Sequence, residues 1–475
     1  MIIAFQNVFV NIFSLQHNAA VMQSLTAGWA MHTLNKTDAK CTSFANVPHE
    51  AKHSKKGGTN MKAVGLVVEY NPFHNGHRYH AEQAKINTDS SVAAAVMSGP
   101  FLQRGEPAAV SKWARTKMAL ENGVDIVIEL PYMYAVQKAE LFARGSVSLL
   151  HQLGCSSLFF GSENGRIEPF IEATEAFSRK EADCTVILKE ELKKGLSYPA
   201  AASKAFSHVF KGEDMLDLSK PNNILGFHYV KAIQASGSAM KPYTTARIAS
   251  GYHDAELPGD NSRIASATSI RKALIEKGTA AAKNFLPEAS VRELDAYKNS
   301  YGLWHSTEDY FSYVKYSLST LSAEELSRIY EVEEGLEHRI LRTIRQARSY
   351  REMMELLKTK RYTWTRLQRM NTHILTRTKK EDMHRLLKPS SAPYIRLLGM
   401  TKKGQAYLSA KKKELTAPLV SKLSSFSHPA LDLDISAGRI YSLPIKEPER
   451  TLFEKQEFSQ APIRYDEDEK RFLNA

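Results

Sequence analysis

The chain has 475 residues, 43% hydrophobic and 24% charged, with 24 Gly and 18 Pro; this profile fits a globular protein of two or three domains and excludes collagen-like, low-complexity and wholly disordered classes. Three scattered cysteines, Cys41, Cys155 and Cys184, argue against a disulfide scaffold or an all-cysteine zinc site and for a reducing, cytoplasmic setting. Lys and Arg exceed Asp and Glu by 13, which asks for a polyanionic partner, and no run of about 18 apolar residues is present to span a membrane.

Residues 1–60 show neither helical nor strand periodicity, and the first ten lack the Lys or Arg of a secretory signal. Lys55-Lys56-Gly57-Gly58 can be encoded by AAAAAAGGAGGA, which contains a ribosome-binding site and would stand two codons ahead of Met61. The expectation is that Met61 is the start and residues 1–60 a translated upstream region; the alternative is a disordered extension.

From Met61 the texture changes. Residues 62–70 (KAVGLVVEY) form a Val-rich run suited to a buried parallel strand. The turn-rich stretch 71–77 (NPFHNGH) follows, and 78–85 (RYHAEQAK) predicts the first turns of a helix. A loop between a parallel strand and a helix sits where open α/β sheets bind ligands, and the helix N-terminus favours phosphate. Within it His74-Asn75-Gly76-His77 is an H-x-G-H signature. Gly76 permits close backbone approach, and the imidazoles are suited to donate hydrogen bonds to phosphate oxygens as charge builds on an α-phosphorus under attack. His74, His77 and His80 recur every three residues, but on a helix the outer two point about 120° apart. No metal site is expected.

Residues 91–98 (SVAAAVMS), 125–130 (DIVIEL) and 157–161 (SLFFG) predict further strands, with a helix over 109–122. This β-α-β rhythm predicts a doubly wound parallel sheet. The loop 99–107 (GPFLQRGEP) lies on the same edge as the H-x-G-H turn, and its Arg104 is placed for a phosphate, a carboxylate or solvent. Residues 263–272 (RIASATSIRK) put hydroxyls and a cation at the start of a helix over 270–277. Ser266, Thr268 and Arg271 are candidates for a second phosphate clamp, the plainer reading being a helix cap.

Beyond residue 286 long helical patterns dominate, as over 324–357. Between Arg339 and Lys413, 21 Lys and Arg stand against Glu352, Glu355, Glu381 and Asp382, a net of +17 that leaves −4 for the rest. Arg339, Arg342, Arg345, Arg348 and Arg351 recur at i, i+3, predicting a drifting stripe on one helix face. Residues 358–366 (KTKRYTWTR) interleave cations with aromatics. Arg345, Arg348, Arg351, Lys360, Arg361 and Arg366 are candidates for RNA phosphates, and Tyr362 and Trp364 for stacking on unpaired bases. Residues 428–443 (HPALDLDISAGRIYSL) predict short strands packing back on the body.

Taken together, residues 65–80 (GLVVEYNPFHNGHRYH), 97–107 (MSGPFLQRGEP), 160–163 (FGSE), 221–226 (PNNILG) and 247–254 (RIASGYHD) resemble the bacterial tRNA(Met) cytidine acetate ligases, within the HIGH-type nucleotidyltransferase superfamily. The likeness runs from Met61 onward and is strongest before about residue 285; the late motif reads Ala265-Ser266-Ala267-Thr268 where many superfamily members have Ser-Ser-Thr. The resemblance implies a Rossmann-like α/β domain over 61–285 followed by a mainly helical, basic, tRNA-binding domain with a C-terminal segment over 286–475. It implies activation of acetate by ATP, with Mg2+, to acetyl-adenylate, and acetyl transfer to N4 of the wobble cytidine of elongator tRNA(Met). The catalytic residues would be His74 and His77. ATP would be bound by Val67, Val68, Glu69, Tyr70, Asn71, Pro72, Phe73, His74, Asn75, Gly76, His77, Arg78, Tyr79 and His80, completed by Gly161, Asn222 and Arg247. No obligate protein partner is expected. Two other readings compete: a nucleotidylyltransferase making a cofactor or activated headgroup from NTP, which has no need of so large a basic segment, and a non-enzymatic RNA-binding protein, which leaves both phosphate clamps idle.

Overall fold

Five parallel strands form the heart of one sheet: β1 (Ala63–Val68), β2 (Val92–Ser98), β3 (Ile126–Leu130), β4 (Ser157–Ser162) and β5 (Lys241–Ala246), in the order β5-β4-β1-β2-β3. The computed structural model describes residues 61–210, 216–247, 257–258, 263–333 and 335–473; the expectations for residues 1–60, and for 248–254 of the 247–254 segment, fall outside the described residues. Helices α1 (Asn75–Asn87), α2 (Lys112–Glu121), α3 (Ala139–Gln152), α4 (Pro221–Ala235) and α5 (Ala267–Lys277) alternate with the strands.

Strands β1, β2 and β3 are nearly all buried and largely apolar because both faces are covered, whereas β5, at the sheet edge, reads KPYTTA and is partly exposed. Val64, Leu66, Ala93, Ala95 and Met97 pack with Met118 of α2 and Ile270 and Leu274 of α5. Their neighbours Ala63, Ala94, Val96, Ile126 and Ile128 pack on the other side with Phe142, Val147 and Leu150 of α3. A Cβ at Gly65 would fall 2.5 Å from Leu150, so glycine there lets α3 close on β1.

The sheet continues beyond residue 285. β6 (Ile395–Thr401) pairs antiparallel with β3, while β7 (Leu419–Val420) and β8 (Ile463–Asp466) pair parallel with β6, and β9 (Arg471–Phe472) pairs antiparallel with β8. One sheet therefore spans the border expected between 285 and 286. A buried ionic cluster fastens this extension. Lys112 Nζ lies 2.9 Å from Glu129 and 2.7 Å from Glu457, and Arg396 reaches the same two carboxylates at 3.0 and 2.8 Å.

Several predicted elements are corrected. The helix expected over 324–357 is three: Ala323–Ser327, α6 (Leu336–Gln346) and α7 (Tyr350–Leu357). Gly335 at φ 80° precedes α6, and Ser349 caps α7 by accepting from the Glu352 N–H. After α8 (Trp364–Leu375) and β6, the strands expected over 428–443 are instead α9 (Pro429–Ser442). The alternating LDLDIS pattern suggested a strand, but the Pro429 ring suits a first helical position and His428 accepts from the Ala430 N–H as its cap. α10 (Glu449–Ser459) carries Glu457. No described helix is long and apolar enough to cross a membrane.

Candidate active site

β1 ends between β2, which follows it in sequence, and β4, which is reached by crossing back over it. That reversal opens a crevice at the carboxyl ends of the strands. The loop lining it is held from beneath by Arg115, a side chain with no solvent exposure. Its guanidinium donates to the carbonyls of Glu69 (2.8 Å), Ser98 (2.9 Å), Gly99 (2.5 Å) and Val110 (3.2 Å), binding the ends of β1 and β2 together. Sequence reasoning missed Arg115, because its pattern is that of any helix cation.

The helix after β1 begins at Asn75 rather than Arg78, so the H-x-G-H residues are themselves the helix cap. His74 is the N-cap: its Nδ1 accepts from the Gly76 N–H at 3.1 Å, while its own backbone N–H donates to His77 Nδ1 at 3.3 Å. With both Nδ1 atoms accepting, each ring carries its proton on Nε2 when neutral. The rings stack with centroids 3.7 Å apart, and Tyr70 and Phe73 wall the His77 ring at 5.0 and 5.7 Å. A Cβ on Gly76 would meet the His74 ring at 2.9 Å, so the motif's glycine is a packing requirement. Burial pulls His74 down to about 3, with the charges of Arg247 and Arg271 adding to it. Burial likewise holds His77 well below the ordinary value and His80 at about 4, and Arg247 lowers both. At neutral pH these are uncharged N–H donors.

The other expected ATP residues converge on this turn. Asn75 Nδ2 donates to the carbonyls of Arg263 (2.9 Å) and Asn284 (3.0 Å), drawing the start of α5 against α1. Arg271 donates to the Asn71 carbonyl at 3.0 Å and approaches Glu106 at 3.4 Å. Asn71 Oδ1 in turn accepts from the Ala109 N–H at 2.7 Å. Arg247 donates to Asn222 Oδ1 at 3.3 Å, and a Cβ on Gly161 would lie 3.3 Å from the Arg247 side chain. Glu163 of the FGSE segment is not among the expected ATP residues, yet it organises that corner: it accepts from Asn222 Nδ2 at 2.7 Å and from the Asn223 N–H at 2.8 Å. Glu69 accepts from the Gln103 N–H at 2.8 Å; burial raises its pKa, opposed by that bond and by the charge of Arg104. Val67 and Val68 close β1, and Pro72 is buried beneath the turn. Tyr79 and His80 lie half-buried on α1, with His80 Nε2 buried and unpartnered. Arg78 does not join them: it is exposed and pairs with Glu82 at 3.0 Å. Ser266 caps α5 by accepting from the Ser269 N–H at 3.0 Å, and Thr268 is exposed in its first turn.

The basic segment divides differently from its linear pattern. Arg345 ends α6 and Arg348 lies between helices, both exposed, while Arg351 opens α7 and pairs with Glu355 at 2.9 Å. The expected single stripe is broken because Ala347 and Ser349 leave the helical conformation. Lys360 and Arg361 are exposed. Tyr362 is corrected: it is 6% exposed, packed in the core, with the Arg366 guanidinium 4.9 Å over its ring. Arg366 also pairs with Glu333 at 3.2 Å, so it too is engaged within the protein. Trp364 is half-buried and borders a cleft.

Residues 61–456 match the family model of the HIGH nucleotidyl transferases. Over 415 residues, 87% of this chain and all of the relative, the chain is 94% identical to the tRNA(Met) cytidine acetate ligase of Bacillus velezensis; over 414 residues it is 70% identical to that of Bacillus subtilis. The chain belongs to this family of HIGH nucleotidyl transferases, the tRNA(Met) cytidine acetate ligases. Crystal structures of the family's Thermotoga maritima TmcAL, one apo and one bound with alpha-thio ATP, superpose with TM-scores of 0.80 and 0.78 at 33% identity, covering 86% of this chain and all of theirs. The family is one of ATP-dependent ligases, and its H-x-G-H turn stands here at the crevice where the sheet reverses.

Proposed function

We propose that the crevice binds ATP with its phosphates over the N-terminus of α1, and that His74 and His77 donate hydrogen bonds from their Nε2–H groups to the α-phosphate oxygens as an acetate oxygen attacks the phosphorus. An O–P bond forms, the bond to the β-phosphate breaks and pyrophosphate leaves. The observation that carries this reading is the pair of stacked, neutral imidazoles capping one helix beside Arg247 and Arg271. Such donors act on charge that develops in the transition state, and the guanidiniums offset the repulsion between carboxylate and phosphates.

The ATP analogue bound to the Thermotoga relative supports ATP as the nucleotide here. The side chains gathered here are imidazoles and guanidiniums, which offer Mg2+ no oxygen ligand, and no group of three His, Cys, Asp or Glu among the described residues is placed to hold an ion; Mg2+ would therefore be carried by the ATP phosphate oxygens rather than by these side chains. Bound with ATP it would neutralise phosphate charge.

In the second step the N4 amine of the wobble cytidine of elongator tRNA(Met) attacks the acetyl carbon. The C–N bond forms, the bond to AMP breaks, and N4 loses a proton. The base has to leave its stack to reach the anhydride, and the exposed cations Arg345, Arg348 and Lys360 supply contacts for the RNA backbone. Acetate is the acyl donor, no protein partner is required, and the cytoplasm, where tRNA is available, is the place of action. The test is ATP–pyrophosphate exchange with and without acetate, followed by acetylation of transcribed tRNA(Met). Exchange independent of acetate would overturn this reading.

A further inference from the structure

A cleft of about 390 Å³ opens between residues 307–310, α7 and α8, outside the phosphate crevice. Glu308, Tyr350, Arg351, Trp364 and Gln368 line it. Two of its walls are aromatic, and its charged groups are mostly engaged. Glu308 caps α7, accepting from the backbone N–H groups of Tyr350 and Arg351, each at 2.9 Å. Arg351 pairs with Glu355, which also borders the space.

Gln368 is the exception. It is only 6% exposed, yet its side-chain amide makes no hydrogen bond with any described residue. The few per cent of Gln368 that stays accessible includes this amide, which opens onto the cleft and is free to meet a ligand edge in place of water. It offers both a donor and an acceptor. Aromatic walls beside a mixed donor–acceptor amide match a planar heteroaromatic ring better than a free anion or cation, and nucleobases in splayed RNA are recognised in this way.

The cleft is joined to the catalytic loop. Gly105, at φ 80°, lies so close to α8 that a Cβ would fall 2.4 Å from the Arg369 nitrogen, and Thr372 Oγ1 donates to its carbonyl at 2.7 Å. Two residues earlier the Gln103 N–H donates to Glu69 at the end of β1. On the same loop Glu106 approaches Arg271. Helix α8 thus holds the loop that borders the phosphate crevice and, one turn away, the unpaired amide.

We propose that this cleft takes one unstacked base of the substrate tRNA, a neighbour of the cytidine that reacts, sandwiching it by Trp364 and reading its edge with Gln368. Holding the neighbour splays the strand, so the reacting base is delivered past the 99–107 loop. The proposal rests on the tRNA reading above.

The experiment measures binding of the full chain to tRNA(Met) transcripts in which each anticodon-loop base in turn is replaced by an abasic site. Trp364→Ala and Gln368→Met are each expected to weaken wild-type transcript binding, the first about tenfold to a hundredfold. One abasic position other than the reacting cytidine is expected to weaken the wild-type chain alike, with no further loss when combined with either substitution. Gln368→Met conserves volume and should keep the melting temperature, guarding against a merely unfolded Trp364→Ala. Losses that multiply at every loop position would overturn the pocket while leaving the tRNA reading intact. A raised KM for ATP in Gln368→Met would assign the cleft to the nucleotide instead and also overturn it. A wild-type chain that binds no tRNA(Met) would overturn both readings.

Discussion

The His74 backbone N–H donates to Nδ1 of His77 at 3.3 Å while the two rings stack at 3.7 Å, so each histidine holds the other in place. The capping role and the proposed donor role are therefore superposed, and a substitution should separate them. His74→Ala removes both the cap and the donor; exchange should fall about a hundredfold or more and stability by about 1 kcal/mol. His74→Asn restores a capping oxygen without the Nε2 donor, so the melting temperature should return and exchange should not. Recovery of both together would make the histidine structural alone.

The same burial sets a pH dependence. The folded-state pKa of His74 lies at about 3, against an ordinary value of 6.5. Between those values the unfolded chain binds the extra proton, so stability rises with pH through that window and is complete above it. The pH–rate profile of exchange should accordingly show no imidazole inflection near 6.5 belonging to His74. Histidine NMR titration of the folded chain checks the assignment directly.

The buried cluster of Lys112, Glu129, Arg396 and Glu457 should be sensitive to the loss of one member. Lys112→Met leaves Arg396 alone against two carboxylates at 2% and 12% side-chain exposure, a net buried negative charge expected to cost about 3–5 kcal/mol in urea denaturation. Burial pushes the Glu457 carboxyl up, but Lys112 and Arg396 more than reverse this and hold it at about 2, below its ordinary 4.5. Its stabilisation is therefore present above the ordinary value and lost as pH falls toward about 2.

Charge reversal at Arg345 and Arg348, both exposed, should weaken tRNA binding and flatten its salt dependence by about 0.7 to 0.9 in log–log slope for each phosphate no longer neutralised. Acetate-dependent exchange should be retained, since neither residue approaches the H-x-G-H turn. Abolished exchange with intact tRNA binding would move these helices to the nucleotide site.

A chain beginning at Met61 should express solubly, melt at the same temperature and acetylate tRNA(Met) as the full chain does. Loss of soluble expression would show that residues 1–60 contribute to the fold.

The strand, turn and capped helix that carry the H-x-G-H residues were legible because their determinants are local. An apolar run buried on both faces, a turn, and a histidine cap with glycine two residues on occupy fourteen consecutive positions, 63–76, and short-range sterics suffice to make strand, loop and helix from them. The resemblance then supplied Gly161, Asn222 and Arg247, whose meeting no periodicity could reveal. What the tertiary structure alone decided is which side chains of the basic segment face outward. Arg366, Arg369 and Arg396 look equivalent to Arg345 in sequence, yet Glu333, Glu331 and the Glu129–Glu457 pair, distant along the chain, engage them. Tyr362 and Trp364 stand two residues apart, but one enters the core and the other borders the cleft. Periodicity reports the face of one element; which element covers that face, and with what charge, is fixed only when the chain packs.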